Sequence, residues 1–373
     1  TLITHPPTME LGHLRLTVDT PADLDLIESV LAILGPDASV DKVARLLSTR
    51  PDLMAINADI AQRGIDSEEE QRRRRIDGAL LLGRADRGVE MGSGHVARLA
   101  SLLAAWVHLG GQARLIGSAL EGFWAERLEH FGIEIEHGSP GAPDFVQRAE
   151  SLGAVATALD GYAFKETYVR TTADRYPTLA VDDLADFPQS AQVVLNQNIG
   201  FDSDRYGAPP RCQLLVGAKY VLLRPEFWEA TDHTEGAQNR IVISFGSSDP
   251  AQMTTPMVES LLDQGPADLE LIVVVGPGMV EGHRTHLEAL KSDTRLRLLY
   301  EVEDMAALFR SARIALIAAG TTAWEVLACG SVPVAIQVAD NQTVVAAGLV
   351  EHDAGVDLGW HERCNPVQCA QLI

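Results

Sequence analysis

The chain has 373 residues, 46% of them hydrophobic, which suffices for two or three domains with sizeable cores and excludes a mainly disordered chain. Thirty Lys and Arg against 52 Asp and Glu give a formal charge of −22. That excludes nucleic acid or an anionic membrane as the main partner, since both need a basic face, while leaving room for a local cationic pocket.

Residues 14–19 read as a short strand. Thr20-Pro21-Ala22-Asp23 then starts a helix, with Thr20 as N-cap, Pro21 at the first helical position and Asp23 in a capping-box place. Leu24, Ile27, Val30, Leu31 and Leu34 are spaced as its apolar face, and Gly35-Pro36 ends it. A second helix is expected near 41–47, before Pro51. So few elements cannot bury a core alone, so residues 1–65 should lean on another part. Residues 66–78 carry a charge block, in which Glu68/Arg72, Glu69/Arg73 and Glu70/Arg74 stand four apart. A solvated helical linker is the simpler reading than a nucleic-acid patch.

From Ala79 the chain alternates strand and helix. Strands are expected at 79–83, 113–116, 132–136, 154–159, 178–181 and 192–195. A helix over 95–109 turns Val96, Leu99, Leu102, Leu103, Trp106 and Val107 inward and stops at Gly110-Gly111. After Arg224-Pro225-Glu226-Phe227 a second series begins, with strands at 240–245, 269–275, 296–299, 314–318 and 332–337. Its helices lie near 251–264, 281–291, 303–311 and 322–329. This is the grammar of two parallel sheets covered on both faces, an α/β fold of two doubly wound domains meeting at a cleft. Such clefts bind ligands at the carboxyl ends of strands.

Cys212, Cys329, Cys364 and Cys369 form no Cys-x-x-Cys pair, no zinc-type spacing and no disulfide framework, and the 11 histidines include no His-Glu-x-x-His. The opening residues show no signal-peptide pattern, and no run approaches the ~20 apolar residues of a membrane span. A soluble cytoplasmic chain without membrane contact, metal or cofactor is expected. A first residue of Thr rather than Met fits a fragment or a processed product.

Three passages carry candidate chemistry. In Met91-Gly92-Ser93-Gly94-His95-Val96-Ala97-Arg98, Gly92 and Gly94 would let a ligand approach the backbone where the first long helix opens. The helix dipole there would hold an imidazole neutral, as a general base requires. A tight turn with a surface histidine is the bland alternative. The turns at Gly246-Ser247-Ser248 and Gly320-Thr321-Thr322 each follow a strand and could cradle phosphate, although neither is a P-loop, and each could equally be an ordinary βα turn. Glu325, one turn into the next helix, could accept hydrogen bonds from ribose hydroxyls or simply complement the dipole. Asn341-Gln342, after the following strand, would face the same crevice or cap a helix.

Together these passages, with Asp160-Gly161-Tyr162, Val181-Asp182-Asp183-Leu184, Leu195-Asn196-Gln197-Asn198 and Tyr220-Val221-Leu222-Leu223-Arg224-Pro225-Glu226-Phe227, occur in an order that resembles one family over about residues 79–360. It is the UDP-sugar hydrolases of pseudaminic acid biosynthesis and their relatives in spore-coat polysaccharide assembly. The resemblance implies a glycosyltransferase-B-like fold of two Rossmann-like domains, spanning 79–225 and 226–373. It implies metal-independent hydrolysis of UDP-2,4-diacetamido-2,4,6-trideoxy-β-L-altrose, and a single inverting displacement fits because no carboxylate pair is convincingly placed as acid and nucleophile. His95, Tyr162 and Asn341 map to catalytic positions, and Gly246, Ser247, Thr321, Thr322 and Glu325 to UDP contacts. Gly92, Gly94, Arg98, Ser248, Gly320 and Gln342 complete the expected substrate-binding set. Ser247 departs from a family glycine, and the chain stops short of the usual closing helix.

Residues 1–65, through Arg15-Leu16-Thr17-Val18-Asp19-Thr20-Pro21-Ala22-Asp23-Leu24 and Arg50-Pro51-Asp52-Leu53, resemble the tail of cytidylyltransferases that activate acidic sugars. The aspartate matching Asp19 binds Mg²⁺ in some of them. That resemblance implies a remnant, packed against the hydrolase or marking fusion to a cytidylyltransferase. The competing expectations are a glycosyltransferase of the same fold using a UDP-sugar donor, and a non-catalytic nucleotide-sugar-binding module.

Overall fold

The computed structural model describes residues 16, 18, 20–36, 38–58, 76–86, 93–187, 189–206, 212–228 and 237–373. Gly92, Asp19, most of the expected strand at 14–19 and the charge block at 66–75 lie outside the described residues. The chain divides into two compact units, residues 1–72 and 73–373.

The first unit holds helices α1 (Pro21–Leu34), α2 (Val40–Thr49) and α3 (Pro51–Met54). The capping box forms: the Thr20 amide donates to Asp23 Oδ2 at 3.0 Å, and the Asp23 amide to Thr20 Oγ1 at 3.3 Å. Asp23 is itself buried, with Oδ1 accepting from Asn57 Nδ2 at 3.0 Å. That turns the helix so that Leu26 and Val30 face inward, with Ala44, Leu47 and Leu53, while Leu24 and Leu31 are exposed. Of the expected apolar face Val30 is buried and Leu34 packs against this cluster; Leu24 and Leu31 are the corrections, because a satisfied carboxylate rather than Leu24 fills the first inward place.

The second unit carries two parallel sheets. The first comprises β1 (Leu80–Ala85), β2 (Gln112–Gly117), β3 (Ile133–His137), β4 (Ala156–Asp160), β5 (Thr178–Val181), β6 (Val193–Asn196) and β7 (Gln213–Val216), in the order β3-β2-β1-β4-β5-β6-β7. The second comprises β8 (Ala237–Ser244), β9 (Glu270–Val275), β10 (Leu296–Tyr300), β11 (Ala312–Ala318), β12 (Val332–Gln337) and β13 (Val356–Trp360), in the order β10-β9-β8-β11-β12-β13. Strands β7 and β13 were not expected from the sequence. Both are edge strands whose residues are only half-buried, so neither carries the apolar run that marks a central parallel strand.

Helices α4 (Gly94–His108), α5 (Phe123–His130), α6 (Ala142–Leu152) and α7 (Glu166–Ala173) cover the first sheet. A Cβ on Gly83 would stand 2.9 Å from Leu103 Cδ1 and 3.2 Å from Leu99 Cδ2, so this glycine lets α4 lie close on β1. The second sheet is covered by α8 (Thr254–Gln264), α9 (Glu281–Ala289), α10 (Met305–Arg310), α11 (Thr322–Ala328), α12 (Thr343–Glu351) and α13 (Pro366–Leu372). Helix α13 closes the chain by burying Cys369 and Ala370, and brings Cys369 Sγ to 2.9 Å from Cys364 Sγ.

Strand order reverses beside β1 in the first sheet and beside β8 in the second. A doubly wound sheet opens a crevice at such a point, between neighbouring strands whose connections leave in opposite directions. The segments emerging there are the turn into α4, the ends of β4 to β6, and the turns after β8, β11 and β12.

Candidate active site

His95 is the second residue of α4 and is 5% exposed. Its Nδ1 lies 2.7 Å from Asp160 Oδ1, at the carboxyl end of β4. Arg98, one turn along the same helix, also points inward. Its Nε donates to Asp160 Oδ2 at 2.9 Å and its Nη2 to Asp160 Oδ1 at 2.7 Å. Its Nη1 donates to both oxygens of Asp183, at 2.6 and 2.8 Å. Asp183 follows β5 and accepts further bonds from Tyr162 Oη at 3.1 Å and Asn198 Nδ2 at 3.4 Å. The strand order β1-β4-β5-β6 thus gathers His95, Asp160, Asp183 and Asn198 into one buried group.

The electrostatics follow from burial and pairing. Burial pushes the Asp183 carboxyl up, but the Arg98 guanidinium outweighs it and holds it below the usual carboxylate range. Burial likewise disfavours the charged Arg98, yet Asp160 and Asp183 raise it well above its ordinary value. Burial, then the Asp183 charge, pushes the Tyr162 phenol up, so Tyr162 keeps its proton and donates it to Asp183.

Two contacts carry this group to the second sheet. Tyr162, packed edge-on to His95 with ring centres 4.5 Å apart, accepts a bond from Asn341 Nδ2 at 2.7 Å. Ser93 Oγ meets Ser247 Oγ at 3.2 Å, so Ser247 faces the start of α4. Gly246 has φ +81°, a left-handed conformation that favours glycine. Asp249 is buried and accepts from the amides of Met253 at 3.0 Å and Thr254 at 2.9 Å, fixing the turn before α8. A Cβ on Gly276, just after β9, would stand 2.3 Å from the Ser247 carbonyl oxygen, so the turn rests directly on that glycine.

Some expected residues sit elsewhere than the sequence suggested. Arg98 was grouped with substrate contacts; in the structure its N–H groups go to the two buried carboxylates Asp160 and Asp183. Gln342 Oε1 accepts from the Val338 amide at 2.8 Å, closing its own loop. Both oxygens of Glu325 are held by Arg224, from Nε at 2.7 Å and Nη2 at 2.9 Å. Arg224 also pairs with Glu226 at 3.0 Å, and Glu226 pairs with Arg127 of α5, so a run of four charges, of which Glu325 is buried and the others partly so, leads from the first domain to α11. Gly94 opens α4, and Gly320, Thr321 and Thr322 form the half-buried turn into α11. Gly320 has no steric need to be glycine, since a Cβ there meets only Gln342 Nε2 at 3.8 Å. Asp160, Asp183, Asn198 and Arg224 had no role assigned from sequence. An acidic residue ending an apolar strand was the available signal for the first two.

His95, Arg98, Asp160 and Tyr162 line a small cavity of about 20 Å³, room for about one water molecule. A wider groove of about 810 Å³ is lined by α5, Pro225, Glu226, Trp228 and the residues after β10, and it includes none of the expected site residues. Among the described residues no group of three or more His, Cys, Asp and Glu could hold a metal ion, and no helix is long and apolar enough to cross a membrane.

No protein-family model matches the chain. It is 23% identical over 264 residues to the uncharacterized protein MJ1062 of Methanocaldococcus jannaschii, covering 67% of this chain and 54% of that protein. It is 26% identical over 182 residues to the spore coat polysaccharide biosynthesis protein SpsG of Bacillus subtilis, covering 47% of this chain and 52% of SpsG. The chain spans about half the length of these curated relatives. Among solved structures, MurG of Acinetobacter baumannii aligns with a TM-score of 0.51 at 19% identity, over 79% of this chain and 89% of MurG. The spinosyn rhamnosyltransferase SpnG, complexed with thymidine diphosphate, aligns at 0.52 and 13% identity, over 79% and 88%. The fold is therefore the glycosyltransferase-B arrangement of two Rossmann-like domains.

Proposed function

We propose that the chain hydrolyses a UDP-linked deoxy-acetamido sugar to UDP and free sugar, in nonulosonic (pseudaminic-type) acid or surface-polysaccharide biosynthesis. The observation that carries this is the His95 imidazole, buried with one ring nitrogen on a carboxylate, at the start of a helix whose preceding residue, Ser93, meets Ser247 in the turn after β8. Water attacks the anomeric carbon while His95 takes its proton, the bond from that carbon to the diphosphate oxygen breaks, and UDP leaves with the electron pair. The amides of the turns at 246–248 and 320–322 meet the diphosphate charge. Asp160 and Asp183 are both engaged by Arg98, so neither is free to act as a covalent nucleophile, which favours one inverting displacement. Tyr162 and Asn341 join the two domains at the reacting centre, and a bridging sugar has to part them.

The glycosyltransferase reading uses the same fold and a UDP-sugar donor, and the solved neighbours include a rhamnosyltransferase. A panel of UDP-sugars incubated with the protein and no acceptor separates the readings. Rapid UDP release supports hydrolysis. Release only after an alcohol or amine acceptor is added supports transfer, and tight binding without turnover supports a non-catalytic module.

A further inference from the structure

We propose that Cys364 and Cys369 are a dithiol–disulfide pair: a small-molecule disulfide oxidises them to one intramolecular bond, which locks the start of α13 onto the second sheet. This stands apart from the hydrolase reading and uses none of the residues placed in its site.

The two cysteines hold defined places at the helix start. Asn365 is the N-cap of α13, its Oδ1 accepting from the amides of Val367 at 3.1 Å and Gln368 at 3.3 Å. Cys364 therefore stands just before the cap, and Cys369 is the fourth helical residue after it. At those two positions apolar side chains commonly meet and set the angle at which a chain enters its helix. Here both side chains are thiols, and their sulfurs lie 2.9 Å apart. That is closer than the ~3.5–4 Å at which packed apolar atoms rest. Less than about 1 Å of further approach brings the sulfurs to the length of an S–S bond.

Their surroundings give the two thiols different roles. Cys369 is buried in the core with Met257 and Leu261 of α8, whereas Cys364 is half-buried and is the one a solute can reach. Burial, then the Cys369 thiol, pushes the Cys364 thiol up, so the pair is held as thiols until a disulfide arrives. The Cys364 thiolate attacks one sulfur of that small disulfide, forming a mixed disulfide and releasing the first small thiolate. Cys369 gives its proton to that thiolate and attacks the Cys364 sulfur. The mixed bond breaks, and the second small thiolate leaves with the electron pair. Two cysteines are oxidised and one small disulfide is reduced to two thiols. Held in contact, Cys369 reacts as an intramolecular nucleophile and outcompetes thiols in solution. The new bond joins the turn that follows β13 to the helix that packs on α8, where Gln371 Nε2 also donates to Gln264 Oε1 at 3.4 Å. It closes a short loop, so its effect falls on local opening of α13.

The test incubates the full chain with glutathione disulfide at about pH 8, blocks the remaining thiols under denaturing conditions and maps the peptides by mass spectrometry. The product should join Cys364 to Cys369 with no glutathione retained on either. Amide hydrogen exchange in α13 should slow by about tenfold or more against the reduced chain, and dithiothreitol should reverse both changes. Cys369→Ala should stop at a glutathione mixed disulfide on Cys364, and Cys364→Ala should leave Cys369 a thiol. The wild-type product decides the matter even where a variant fails to fold. A wild-type chain that keeps glutathione on Cys364, or that links either cysteine to Cys212 or Cys329, overturns the proposal. So does one in which Cys364 and Cys369 both stay thiols, which would make them packing residues of the helix start. An internal bond that leaves exchange in α13 unchanged overturns the lock.

Discussion

His95 and Glu325 lie in different domains, and changing each should fail in a different way. If His95 is the base as proposed, His95→Asn leaves the second sheet untouched, so kcat should fall by about 10²–10⁴-fold with little change in UDP affinity. Near-normal turnover would reduce His95 to a turn residue. Glu325 is bound at both oxygens by Arg224, so Glu325→Ala should weaken UDP by roughly 1–3 kcal/mol and also lower thermal stability, because it leaves Arg224 only Glu226. Calorimetry with UDP and 2′-deoxy-UDP decides whether Glu325 reads ribose: wild type should prefer UDP and the variant should not. Equal binding of both by wild type would mean that Glu325 serves Arg224 alone. His95 was legible in the sequence because glycines and a histidine at a strand-to-helix turn are a local pattern. The role of Arg98 was not, since its partners lie 62 and 85 residues away and nothing local says that a helical arginine faces inward.

Elements explain what the sequence pattern could reach. Central strands such as β1 and β9 are nearly wholly buried and read as unbroken apolar runs, so they were found; the half-exposed edge strands β7 and β13 were not. Helix α1 shows the converse, a clear capping signal with Leu24 and Leu31 wrongly placed on the inner face, because Asp23 is held inside by bonds that periodicity does not register. The same reasoning yields a prediction at β9. Its last turn presses Gly276 against the 246–247 backbone, and the Gly278 amide donates to the Ser247 carbonyl at 2.7 Å. Gly276→Ala puts a methyl 2.3 Å from that carbonyl oxygen and 2.6 Å from the Gly246 one, so backbone must move. Overpacking of this kind costs about 1–3 kcal/mol. UDP affinity should drop by about tenfold or more, with His95 chemistry at saturating substrate little affected. Unchanged UDP binding would show that the turn after β8 is not part of the nucleotide site.

At the scale of the molecule, the second unit contains every described candidate residue and the contacts that join its two sheets: Tyr162 to Asn341, Ser93 to Ser247, and the charged chain from Arg127 through Glu226 and Arg224 to Glu325. Diphosphate charge there can be met by turn amides, so UDP release should persist in excess EDTA; loss restored by Mg²⁺ would show that a metal takes part. The two units have separate cores. Leu26, Val30, Ala44, Leu47 and Leu53 pack among residues of the first unit, whereas the four larger clusters draw only on the second. A chain starting at Ile76 keeps all four of those clusters, the two parallel sheets and the whole His95 group. It should fold cooperatively, bind UDP as the full chain does and keep the proposed UDP-sugar hydrolysis at a kcat comparable to that of the full chain. Circular dichroism melts and the UDP-release assay on both lengths check this together. A shortened chain that melts like the second unit of the full protein yet turns over no substrate would mean that residues 1–75 contribute to the reaction, and would reopen the reading of that segment as a remnant.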